Sequence, residues 1–131
     1  MKRSLRLLFS TSMVALLVAT YLPNNIFAEY TNFNITSNWK YSEVSSANTK
    51  MDTNQTAYVE WNYSSDKNPH NQWFQIVNSD LHKRSEEAFF SYKSNGYINE
   101  ENCQKGYYYY LRARREHIIN PETTVSGNWE S

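Results

Sequence analysis

Beyond residue 28 the chain changes side-chain character at every second position, stretch after stretch, and nowhere shows a helical stripe. A strand sends successive side chains to opposite faces, so this alternation demands a sheet with one buried face. In "TAYVEWNYSS" (56–65), Val59, Trp61 and Tyr63 fall on one side, with Tyr58, Glu60 and Asn62 on the other. In "NFNITSNWKY", Phe33, Ile35 and Ser37 share a side. "QWFQIVNS" (72–79) carries apolar residues on both faces, Phe74 and Ile76 against Trp73 and Val77, as expected of a central or sandwiched strand. "EAFFSYK" groups Ala88, Phe90 and Tyr92, and "TTVSGNWES" groups Val125, Gly127 and Trp129.

The stretch "GYYYYLRARRE" (106–116) is the most demanding of these. As a helix it would join Tyr107, Tyr110, Leu111 and Arg114 on one face, a poor apolar stripe. As a strand it places Tyr107, Tyr109, Leu111 and Ala113 inward, and Tyr108, Tyr110, Arg112 and Arg114 outward. Consecutive tyrosines also favour the extended state. Between these strands lie turn-forming runs, "SDKNPHN" and "SNG", the latter with Gly96 free to adopt a positive φ. "SEVSSANTKMDTNQ" has no period and reads as a loop, and "SDLHKRSEE" as a loop or a single helical turn. The expectation is an all-β domain, a small antiparallel β-sandwich or barrel of about six strands.

The first 28 residues are of another kind. Lys2, Arg3 and Arg6 precede a mostly apolar run from Leu7 to Leu22, and a small residue, Ala28, follows. That layout predicts a cleaved signal peptide over 1–28 and a single secreted domain over 29–131. The apolar run is too short and too polar for a spanning helix, so no stable membrane span is expected after cleavage. The leader holds three of the 13 basic residues and none of the 13 acidic ones, leaving a net charge of −3 beyond it. Such a balance argues against nucleic acid as a partner, because that affinity is built from summed positive charge. The single cysteine, Cys103, allows no disulfide within the chain, so stability must come from packing, with aromatic residues supplying the buried area.

Catalytic constellations are hard to find. His70, His82 and His117 fall in or beside different expected loops, without metal-ligand spacing. Cys103 and His117 could form a thiol and its base, but Glu100 and Glu101 beside the cysteine oppose a thiolate. No phosphate-binding glycine loop or nucleophile elbow occurs. No metal, cofactor or enzymatic activity is therefore expected. The candidate binding residues are Tyr108, Tyr110, Arg112 and Arg114, since tyrosine rings stack on sugars and guanidinium forks match phosphate or carboxylate. Ordinary cross-strand pairing is the competing explanation for the same row.

The C-terminal stretch "YYYYLRARREHIINPETTVSGNWES" resembles a group of small secreted proteins of Gram-positive bacteria catalogued as a domain of unknown function. The residues carrying the likeness are Leu111 to Glu116 and the Val125, Ser126, Gly127, Trp129 pattern. The resemblance implies export and an all-β fold, and it brings no catalytic residues. A looser resemblance exists to the small secreted β-sandwich bacteriocins of lactococci, which also end in an aromatic strand. The expected role is non-catalytic binding of an envelope polymer or another protein, with a bacteriocin-like antimicrobial role as the alternative.

Overall fold

The computed structural model describes residues 30–41 and 43–131; the expected signal peptide lies outside them. Eight strands form: β1 (Thr31–Ser37), β2 (Asn48–Thr49), β3 (Thr56–Ser64), β4 (Gln72–Val77), β5 (Ala88–Phe90), β6 (Asn95–Asn99), β7 (Tyr108–Arg115) and β8 (Thr123–Glu130). They build two four-stranded antiparallel sheets, β1-β8-β3-β6 and β2-β7-β4-β5. No helix occurs among the described residues. The two additional strands, β2 and β6, arise in the stretch read as an aperiodic loop and at the turn expected at 94–96.

The sheets face each other across one core. Phe33, Ile35, Val59, Trp61, Val125 and Trp129 come from the first sheet, and Phe74, Ile76, Leu111 and Ala113 from the second. Edge-on aromatic contacts bridge the layers, with ring centroids of Phe33 and Phe74 5.7 Å apart and those of Trp61 and Phe74 6.1 Å apart. Such arrangements add to simple area burial because the positive ring edge meets the negative face. β4 lies between β7 and β5, and on the face turned away from the core Trp73 meets the Phe89 ring at 4.9 Å.

Two inward assignments and one turn assignment fail for local reasons. Tyr107 is 60% exposed, because the chain turns through Gly106 at φ 87° immediately before it, and β7 begins at Tyr108. Tyr63 is 53% exposed, because a register shift between Trp61 and Tyr63 moves the strand by one residue and buries Ser64 instead. That bulge also lets the Trp61 indole donate to the Tyr63 carbonyl at 2.7 Å. Gly96 is not the turn residue expected; it pairs with Val59 inside β6, and Lys93 takes the left-handed conformation at φ 59°. Gly127 is required for a different reason: a Cβ there would sit 1.8 Å from the Glu60 carbonyl oxygen, so β3 and β8 could not approach as they do.

Cys103 is flanked in sequence by polar residues. It is buried in the core cluster. Burial first, and then the Glu100 carboxylate, push its thiol up to about 11. A nucleophilic thiolate is therefore disfavoured there.

Candidate functional site

β7 brings all four candidate residues to the outer face of the second sheet, but it does not give them one environment. The two arginines are committed to protein partners. Arg112 donates from Nε and Nη2 to Gln75 Oε1 at 3.0 and 2.6 Å, and its guanidinium lies 4.1 Å from the centre of the Tyr41 ring. Arg114 grips Glu87 with two hydrogen bonds of 2.6 and 2.5 Å. Tyr41 donates its hydroxyl to the same carboxylate at 2.7 Å. Trp39 and Trp73 flank the Arg114 guanidinium at 5.9 and 5.4 Å.

This cluster is electrostatically closed. The Arg114 guanidinium holds the Glu87 carboxyl below its ordinary range, against the opposing effect of partial burial. Glu87 in turn raises Arg114, and burial followed by the bond to Glu87 raises the Tyr41 phenol. Cross-strand and neighbouring-loop pairing thus uses up the fork geometry that made these arginines attractive as anion ligands.

The tyrosines meet something else. A cleft of about 450 Å³ opens where β7 starts, between the loop at Asn78–Asp80 and the turn at Asn102–Gln104. Tyr107, Tyr108, Tyr109 and Tyr110 form one wall, and Arg84, Asp80, Asn78, Asn102 and Gln104 supply polar groups. Tyr108 is 61% exposed, whereas Tyr109 is buried and accepts a hydrogen bond from the Gln104 amide at 2.7 Å. The loop is shaped by Asn78, whose Oδ1 accepts from the amides of Asp80 and His82 at 3.1 and 2.9 Å. Leu81 and Asn102 both take positive φ, at 63° and 56°, and so turn the two rims.

Arg84 is the residue that sequence reasoning missed. Its backbone is fixed by bonds from its amide to the Ile76 carbonyl at 2.7 Å and from the Glu101 amide to its carbonyl at 2.6 Å. Its side chain forms no ion pair or hydrogen bond among the described residues. "SDLHKRSEE" carries no periodicity from which its placement could be read. Tyr108 and Tyr110 therefore share a cleft with Arg84, while Arg112 lines a smaller hollow with Tyr41 and Leu81. Arg114 lines neither of these two hollows.

The histidines are held by single carboxylates at most: His70 lies 3.9 Å from Asp66 and His117 lies 3.5 Å from Glu116. No group of three or more His, Cys, Asp or Glu residues converges on one point among the described residues. The groups acting on Cys103 are Glu100, Lys50, Tyr109 and Arg84, with no histidine among them. No family model matches this chain, and comparison with curated proteins and with solved structures yields no match.

Proposed function

We propose that this protein is an exported, non-catalytic binding domain that recognises an envelope polymer through the cleft at the start of β7. One observation carries the reading. A wall of tyrosines faces amide groups and an arginine whose side chain is unpaired among the described residues, in a hollow of about 450 Å³. Aromatic faces stack on sugar rings, amides exchange hydrogen bonds with hydroxyls, and a free guanidinium takes a phosphate or carboxylate. A glycan bearing anionic groups matches that combination. The basic-apolar-small order of the leader and the likeness of the C-terminal strands to secreted proteins support export.

The test is binding of the purified 29–131 domain to isolated cell walls. Arg84→Ser and Tyr108→Ala are each expected to weaken binding about tenfold or more without changing the melting temperature, each tenfold loss corresponding to about 1.4 kcal/mol. Arg112→Ser is expected to leave wall binding unchanged. If Arg84→Ser and Tyr108→Ala bind walls like the parent, the cleft is not the site. Killing of related strains by the pure domain would favour the antimicrobial alternative.

A further inference from the structure

The opposite sheet carries a second, chemically different hollow. On its outer face β3 pairs Tyr58 with Glu130 on one side and with Tyr97 on the other. Tyr30, just ahead of β1, packs against Tyr58 with centroids 6.2 Å apart at 80°, and Tyr58 meets Tyr97 at 5.3 Å and 60°. Tyr30 and Tyr97 are 56% and 71% exposed, so aromatic surface faces water. Beside the rings lies a hollow of about 220 Å³, lined by Tyr58, Tyr97, Asp52, Asn54 and Glu130 among others.

Its charge is one-sided. Glu130 has one carboxylate oxygen, Oε2, shielded from solvent and without a hydrogen-bond partner. Burial, and then repulsion from Asp52, hold its carboxyl above the usual range. Glu130 is also the largest influence pushing the Tyr30 phenol upward. Lys50 acts against these effects on Glu130, but it is itself fully buried, bound to Glu100 at 2.5 Å and 3.5 Å from Asp52. Partial negative charge on the ring faces and the unpartnered Glu130 oxygen point the same way, toward a cation with an apolar stem, with Asp52, whose two oxygens accept from Asn54 at 2.9 Å each, adding a second negative charge.

We propose that this hollow binds an alkylammonium group, its charge set between Glu130 and Asp52 and its aliphatic stem lying on Tyr58 and Tyr97. A metal ion fits less well, since no group of three or more His, Cys, Asp or Glu side chains converges among the described residues and hard divalent cations need six or more oxygen ligands. A neutral sugar leaves the Glu130 charge uncompensated. The site is independent of the β7 cleft, which lies on the other sheet.

The test is an NMR titration of the folded domain with n-butylammonium chloride, with n-butanol and sodium chloride as controls. Saturable shifts confined to the surroundings of Tyr58, Tyr97 and Glu130 are expected with the amine alone. Tyr97→Ala should weaken binding about 2- to 5-fold, the worth of one exposed cation–π contact, and Tyr97→Phe should restore it. Glu130→Gln should weaken it at least as much. Arg84→Ser should leave it untouched, which separates failure here from failure of the envelope-binding reading. Equal shifts with n-butanol, absence of saturable shifts with the amine, or indifference to both Tyr97→Ala and Glu130→Gln would overturn the proposal.

Discussion

β7 and the two-residue edge strand paired with it, β2, were built by different rules. β7 is long, and its burial follows its alternation: Tyr109, Leu111 and Ala113 are in the core while Tyr108, Tyr110, Arg112 and Arg114 are not. β2 pairs only Asn48 and Thr49 with Tyr109 and Tyr108, and what anchors it is polar. Asn48 donates to Thr31 Oγ1 at 2.8 Å and accepts from the Ser131 amide at 3.1 Å. Next to it Lys50 is wholly buried and bonded to Glu100, whose other oxygen accepts from Ser131 Oγ. A long strand is held by area removed from water; a short one is held by a few satisfied polar groups whose loss cannot be shared out.

The largest effect should therefore come from the polar edge. Lys50→Ala strands Glu100 inside the protein and is expected to cost about 3–5 kcal/mol, as removal of one member of a buried ion pair does. Denaturant unfolding measures it. The double variant Lys50→Met, Glu100→Leu should recover most of that loss, because it removes both charges together. A double variant as unstable as Lys50→Ala would mean that the pair, and not merely its neutralisation, holds β2 in place.

Leu111→Ala probes the other member of the comparison. Leu111 is fully buried at the middle of β7, and truncation should cost about 2–5 kcal/mol depending on how far the core collapses around it. A loss below about 1 kcal/mol would indicate a core that repacks freely around the gap. Cys103→Ser should cost less, about 1–3 kcal/mol, since it places a hydroxyl where a thiol packs against the core. The same burial predicts slow alkylation of Cys103 at neutral pH. Rapid alkylation of the folded protein would show that the turn carrying it opens readily.

These contrasts explain what could be read before the fold was known. Alternation in β1, β3, β4, β7 and β8 identified the buried faces because each strand is long enough to repeat. Tyr63 escaped because a bulge shifts the count by one residue, and Tyr107 because the turn through Gly106 starts β7 only at Tyr108; neither leaves a mark in hydrophobic pattern. Lys50 escaped because nothing local distinguishes a buried lysine from a surface one; its partner Glu100 is 50 residues away. Of the candidate row, the tyrosines could be placed on the outer face from sequence. That the arginines would find Gln75 and Glu87, and that Arg84 would join the tyrosines, depended on strand order and loop path.

The smallest expected effect belongs to the Arg114–Glu87 pair, and its pH dependence sharpens the comparison with Lys50. Both side chains are partly open to solvent, at 21% and 30%, so water screens the attraction that the buried pair feels in full. Glu87→Gln should cost no more than about 1 kcal/mol at neutral pH. The hydrogen bonds from Arg114 depress the Glu87 carboxyl, so its contribution is present above the ordinary carboxylate pKa and is lost as pH falls through the depressed folded value. Parent and Glu87→Gln should therefore differ most near neutrality and converge in acid. Urea melts of both proteins across that range measure the difference directly. A gap that stays constant down to low pH would mean that Glu87 acts by packing and by its bond from Tyr41 rather than by charge.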